Sequence, residues 1–488
     1  ASGKDPPPYQ HFCSVAAVTG FARPRVPDIW YPGTRSPPPP YHPTSMKILA
    51  LVAGALLFTA CDGSSGNPPA IDARLAGYIA GIKAVDNHAH PMRPIQPGAP
   101  ADTEYDALPL DGIPPFQLPW RLRPENPEWA AAARALYGVP ASDTGKAYAR
   151  AVADARARVL KQQGNNFPAW VLDKAGIDVM FANRVAMGPG LAPPRFRWVA
   201  FDDALMLPLD TRAEAARTPD TQPLYPREAA LLRRYMAALG IKALPPRLDG
   251  YVRAVIAPTL EHQRDSGAVA VKFEAAYLRP LDFDTPDPAA ARAVYARYVH
   301  GGTPTRAEYK TLEDYLFREI ARRAGALGMA VHIHVLYEFG GYYSPSGSAP
   351  HLLESVADDP SLRGTNFVML HGGWPLVDET MSLLGKPNMY ADISMMTQFI
   401  EPSQLAAVLR DWLSQWPEKV LFGTDAFDGG TPQGWDQGAL LASNSARRAL
   451  GIALTDMMRD GEITRARAEQ LARMVLRDNA VRLYRLKL

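Results

Sequence analysis

Ten histidines occur in the 488-residue chain, and five of them stand at the ends of three apolar runs. His88 and His90 close residues 83–91, His332 and His334 close 329–335, and His371 closes 366–370. Side chains two apart on a strand point to one face, about 6.6 Å apart at roughly 3.3 Å per residue. His88 and His90 therefore leave one strand end together. Lys272 and Asp425 mark two further strand ends, in 267–273 and after 419–424. Neutral imidazole is the commonest metal ligand, and the set points to a divalent cation on N and O donors. Such a cation lowers the pKa of bound water from 15.7 to about 7 and polarises a carbonyl. Asp425 could take a proton from that water and pass it to a leaving group. Its structural alternative is a helix N-cap after the strand.

The apolar runs that must position these groups recur along the chain. After 83–91 come strands at 177–182, 196–207 (with Asp202 and Asp203 inside it), 267–273, 329–335, 366–370, 388–393 and 419–424. Helical stretches are expected at 71–81, 227–239, 249–264, 288–300, 305–327 and 465–476. Eight strands alternating with helices predict an α/β fold, a closed (β/α)8 TIM barrel, whose active site lies at the C-terminal rim of the strands. About 80 residues without a clear strand follow the first run, too many for a plain loop. Proline-rich 94–127 and Ala-rich 128–137 and 144–163 predict a helical insertion, 91–170, that caps the site.

On the 329–335 strand both histidines face inward, but His334 is nearer the rim and is the expected ligand. His332 is expected to pack or to support. Asp86, on the face of His88 and His90, is a candidate partner for their second ring nitrogens. Lys272 could equally pair with Glu274 or Asp203. Tyr277 and Arg279 could hold an anionic substrate group, with Glu338, Tyr342, Tyr343 and Trp374 as pocket walls and Gly340 and Gly341 giving a movable loop. His262, His300 and His351 fall in helical stretches and are expected to be surface or packing residues.

Composition narrows the function. Apolar residues make up 47% and charged residues 21%, which suits a globular chain with a large core. The 52 basic and 50 acidic residues are mixed along the chain, which argues against nucleic-acid binding and for a small-molecule substrate. With only Cys13 and Cys61 there is no disulfide framework and no multi-Cys zinc site.

Residues 1–45 contain four consecutive prolines at 37–40 and show no apolar periodicity. They are expected to be disordered, an extension upstream of a start at Met46. Residues 46–60 then read as a secretory signal: Lys47, an apolar stretch at 48–58, and small residues before Cys61. That pattern resembles the lipobox of bacterial lipoproteins, with Phe58 where Leu is usual. It implies lipidation of Cys61, a tether at 61–70, and an exported protein anchored to a bacterial membrane and facing the periplasm, with ordinary signal cleavage as the alternative. Residues 71–488 are the barrel.

His88-x-His90, Lys272, His334, His371 and Asp425, each at its own strand end, resemble the metal site of the amidohydrolase superfamily over roughly residues 71–488. Phe-Glu-Ala-Ala-Tyr after Lys272, Leu-His-Gly-Gly-Trp-Pro around His371, Gly-Thr-Asp-Ala-Phe around Asp425 and the Asp-Asn-Ala-Val-Arg-Leu tail are similar to its amidohydrolase-2 branch, closest to the barrel domain that some plants and fungi fuse to glutamine synthetase. The resemblance implies one or two divalent ions, zinc first. A carbamylated Lys272 would bridge two ions, with His334 and His371 on the second; with one ion, His371 would be an acid/base group. The function expected is hydrolysis of a C–N or C–O bond (amide, ester or lactone) by metal-bound hydroxide. The alternatives are non-oxidative decarboxylation at one metal and a non-catalytic metal- or ligand-binding lipoprotein. Oligomeric state is open, a homo-oligomer included.

Overall fold

The structure, a computed structural model, describes residues 70–95, 100–109, 118–140, 145–217, 219–335, 344–428 and 434–488. Eight strands lie in one parallel sheet in sequence order: β1 Ala84–Ala89, β2 Ile177–Asn183, β3 Phe196–Phe201, β4 Ala268–Phe273, β5 Ala330–His334, β6 Phe367–Leu370, β7 Met389–Asp392 and β8 Val420–Leu421. The strands are buried almost end to end, as expected of a parallel sheet with helices outside and packed side chains inside. The sheet is brought round on itself by backbone bonds from β1 to the chain after β8. Asn87 N donates to Phe422 O (2.9 Å), Asp425 N to His88 O (2.7 Å) and His90 N to Ala426 O (2.8 Å). The fold is the expected (β/α)8 barrel.

Side chains two apart share a face, so Ala270 lies below Lys272 and Ala330 below His332 and His334 inside the barrel. Ala270 and Ala330 belong to an apolar cluster with Val85, Val179, Phe181, Val199, Val368, Leu370 and Leu421, on which Tyr484 and Leu486 also pack. The barrel floor is thus apolar, and the polar groups begin one layer up.

Two strand expectations need correction. The third strand stops at Phe201: Asp202 bends away (φ −125°, ψ 7°) and a short helix, Asp203–Met206, begins. A carboxylate cannot be left unpaired in a strand buried on both faces; here Asp203 Oδ2 instead accepts the Glu274 amide at 2.7 Å. The last strand is only Val420–Leu421, because the backbone of 422–426 turns to β1 rather than continuing along β7. The chain also forms helices that its periodicity had not suggested, above all the buried Trp435–Arg459.

After β1, helices Pro127–Tyr137, Gly145–Gln163 and Phe167–Ala175 lead to β2. This stretch reaches the rim in two places. Leu122 and Trp129 cluster with Met395 and Leu441, with Trp374 against them. Asp102 forms a two-pronged ion pair with Arg184, just beyond β2 (2.8 and 2.9 Å), both side chains buried.

Candidate metal centre

His88 and His90 end β1, and their rings meet edge to face with centroids 5.0 Å apart. Asp425 stands against both: its Oδ1 is 3.1 Å from His88 Nε2 and 3.6 Å from His90 Nε2. The ligand atoms of these three buried residues all lie within 4.8 Å of one another. Lys272 Nζ is 3.5 Å from His88 Nε2 and 3.7 Å from Glu274 Oε1. On the other side, His371 Nδ1 is 3.7 Å from Asp425 Oδ2, and His371 Nε2 is 3.1 Å from His334 Nδ1. The structure therefore brings His88, His90, Lys272, His334, His371 and Asp425 to one place at the C-terminal rim.

Burial sets the charge of the site. It lowers the His88 ring well below the ordinary histidine value, helped by Lys272 and His90, and lowers His371 likewise, helped by His334 and Lys272. Both shifts favour the neutral ring, the form that ligates. The Asp425 carboxyl is raised to about 6, burial outweighing the pull of His90 and Lys272. A divalent cation fits this set: two imidazole nitrogens and a carboxylate oxygen converge, and among the described residues the buried His88 Nδ1 has no hydrogen-bond partner.

Two of these residues hold unusual backbones. His371 and Asp425 are non-glycine residues in the left-handed region, at φ 64° and 52°, a conformation that costs about 1–3 kcal/mol and persists only where neighbours impose it. For Asp425 the restraints are its own amide on His88 O and the Gln398 side chain, which donates to Thr424 O (2.7 Å) and Asp425 O (2.9 Å). For His371 the restraint is Asp392, the last residue of β7, which accepts the His371 amide at 2.8 Å. Asp392 also accepts Ser394 N and Oγ (3.1 and 2.6 Å) and Asn87 Nδ2 (2.9 Å), and Ser394 Oγ is 2.9 Å from His371 Nδ1. Gly423 permits this crowding, since a Cβ there would lie 2.7 Å from Ser394 Cβ and 2.9 Å from Asp392 Oδ2.

Other expected residues take different places. Asp86 does not hold a ring nitrogen: its oxygens accept Thr424 N (2.9 Å), Thr424 Oγ1 (2.6 Å) and His88 N (3.2 Å). It joins β1 to the end of β8. His332 is buried, its Nε2 2.7 Å from the Tyr484 hydroxyl, which donates in turn to Asn87 Oδ1. Tyr277 packs its ring 4.7 Å from that of His334, and Trp374 lines the rim cluster. Arg279 is not presented to a substrate. Its guanidinium is buried against Glu313 (3.1 Å) and Asp314 (2.8 Å) and lies over the Phe283 ring; with two carboxylates already matched to it, it locks the loop after β4. His351 is exposed and pairs with Glu379 at 2.8 Å. Glu338, Tyr342, Tyr343, Gly340, Gly341, Cys61 and the leader lie outside the described residues.

Asp392, Ser394, Gln398 and Asp106 are not among the residues that the sequence singles out. Asp392 carries the signal that found Asp425, an acid closing an apolar run. The other three offer none, because their roles depend on turns that return to the rim.

The amidohydrolase family model matches residues 234–486, more than half of the chain, and the chain belongs to that family, in its amidohydrolase-2 branch. The family is metal-dependent, and the fold is that of an enzyme. Among solved structures, a protein of Lactobacillus casei named as a metal-dependent hydrolase superposes with TM-score 0.53 at 15% identity, covering 86% of this chain and 100% of its own. Glucuronate isomerase of Caulobacter crescentus gives 0.55 at 15% (85% and 94% covered), and uronate isomerase of Thermotoga maritima 0.52 at 14% (84% and 96%). No curated protein matches the chain in sequence. Likeness at this identity establishes the barrel, not the reaction.

Proposed function

We propose that the protein is a metal-dependent hydrolase that cleaves a C–N or C–O bond (amide, ester or lactone) of a small carbonyl compound. The observation that carries this reading is one oxygen of Asp425 standing 3.1 and 3.6 Å from the Nε2 atoms of His88 and His90. His88, His90 and Asp425 would hold a divalent cation, zinc first. Such a cation supplies acidified water and an electrophile for the substrate carbonyl. Asp425 Oδ2, on the side away from the β1 imidazoles, takes the proton from the attacking water and delivers it to the leaving nitrogen or oxygen. His371 stands 3.7 Å from that carboxylate, and the partly buried Trp374 helps to exclude bulk water. Lys272, carbamylated, would extend the donor set to a second ion with His334 and His371.

In a second reading one ion sits on His88, His90 and Asp425, His371 is the acid/base group, and decarboxylation of a small acid becomes the reaction. Elemental analysis of the purified full chain and of Lys272→Ala, with amide, ester and lactone panels and a carbon dioxide assay, separates the two. Two ions falling on the substitution, with hydrolysis abolished by Asp425→Asn, support the first reading. One ion unaffected by Lys272→Ala, with carbon dioxide release, supports the second, and no retained metal defeats both.

Export and lipid attachment at Cys61 belong to the same proposal. Cys61→Ser should move the protein from the membrane to the soluble fraction of an expressing bacterium; an unchanged distribution argues against the anchor.

A further inference from the structure

His90 uses its two ring nitrogens in opposite directions. Nε2 faces Asp425 Oδ1, while Nδ1 stands 3.2 Å from Asp106 Oδ2. The Nδ1 atom is buried and has no aligned hydrogen bond among the described residues, so this carboxylate is the group placed to receive its proton. Asp106 belongs to none of the barrel strands. It lies in the insertion after β1, 16 positions beyond His90 in sequence.

That segment is fixed at several points. Asp102 accepts both prongs of Arg184 and the Arg93 amide (2.9 Å), and Arg184 also donates to Pro91 O (2.7 Å). Val185 N donates to Glu104 O at 2.9 Å, and Arg234 pairs with the Glu104 carboxylate at 2.6 Å. Asp106 Oδ1 is itself occupied by the Leu108 amide at 3.0 Å, which leaves Oδ2 for the imidazole. Asp102 and Glu104 thus staple this segment to the β2 end of the barrel, and the Asp106 carboxylate two residues on is aimed at a β1 ring.

We infer that Asp106 is a positioning residue for the metal centre: it holds His90 in the tautomer with the proton on Nδ1, leaving the Nε2 lone pair for the cation. The inference rests on the metal-centre reading above. A carboxylate on the far nitrogen of a ligating histidine fixes ring orientation and raises its basicity, and losing such a partner typically costs about 10–100-fold in metal affinity. The insertion thereby completes the centre. Asp106 also stands with His90 and Glu274 as a group whose ligand atoms lie within 4.8 Å of one another, so direct ligation of a further ion is the rival role.

The test is zinc affinity and stoichiometry of the full chain, by competition with a chromophoric chelator, for the unaltered protein, Asp106→Ala and Asp106→Asn. The expected result is a weakening of about 10–100-fold in Asp106→Ala, with stoichiometry unchanged. The metal-free melting temperature should stay near that of the unaltered chain. Asp106→Asn keeps an acceptor oxygen and should recover most of the loss. Equal affinity in all three overturns the inference while leaving the metal centre intact. So does loss of one whole ion in Asp106→Ala, which would make Asp106 a ligand. An unaltered chain that binds no zinc overturns the metal centre and this inference with it.

Discussion

Replacing Asp392 by alanine tests whether the site is held by the network behind it. The carboxylate is fully buried and accepts the His371 and Ser394 amides, the Ser394 hydroxyl and the Asn87 side-chain amide. In Asp392→Ala the Ser394 hydroxyl can turn to His371 Nδ1, 2.9 Å away, but three N–H donors lose their acceptor. A buried unsatisfied donor costs about 1–3 kcal/mol. Against that stands relief from burying the carboxylate, whose pKa burial raises. The balance is a loss of about 3–5 kcal/mol in unfolding free energy. The effect should not stop at stability, because the His371 amide is what pins a left-handed backbone, and its release lets the ring leave Asp425. Asp392→Asn should cost less, about 1–2 kcal/mol: it keeps an acceptor, but Asn87 cannot reverse its amide while its oxygen receives the Tyr484 hydroxyl. Urea unfolding of the metal-free chain, followed by tryptophan fluorescence, gives the free energies, and chelator competition gives the metal affinity. An alanine variant within about 1 kcal/mol of the unaltered protein, with metal affinity intact, would refute the network argument.

Two other substitutions test the charge assignments. Burial pushes the Asp202 carboxyl up to about 7 against the hydrogen bond from Gln263, so its native pKa exceeds the unfolded one, near 3.9. Its contribution to stability is greatest below the unfolded value and falls as pH rises from about 4 to 7, by up to about 4 kcal/mol at about 1.4 kcal/mol per unit. Asp202→Asn should flatten that part of the stability-versus-pH curve, measured by denaturant unfolding; an unchanged slope would count against it. Arg279→Ala strands the buried Glu313 carboxylate and leaves Asp314 to Lys310 alone (2.7 Å), and should cost about 3–5 kcal/mol with metal stoichiometry unchanged. A variant of native stability would return Arg279 to the list of substrate contacts.

Much of the centre was legible because a parallel barrel sends each functional side chain out at the end of an apolar run. His88, His90, His334, His371, Lys272 and Asp425 could be found that way, and so could the strands that carry them. The reading weakened where chain direction changes. Asp202 and Asp203 looked like strand residues because apolar ones flank them, yet their carboxylates need partners that only a turn supplies. Arg279 looked free because Glu313 and Asp314 are more than thirty positions away in sequence. Asp106 was hidden for the same reason: nothing within its own segment says that Arg184 will anchor the stretch beside β1.

The contacts that complete the site also set a constraint on its order of assembly. Asn87 waits for a tyrosine 397 positions later, and Asp86 for a threonine 338 positions later. A chain emerging from the ribosome makes the two β1 imidazoles first and the groups that brace them last. Until those groups are made the histidines lack the contacts that brace them in the finished barrel, which leaves them open to whichever metal is abundant where the chain is made. Selectivity gained in the finished barrel cannot act in that interval, so the compartment of folding has a say in which ion the enzyme carries.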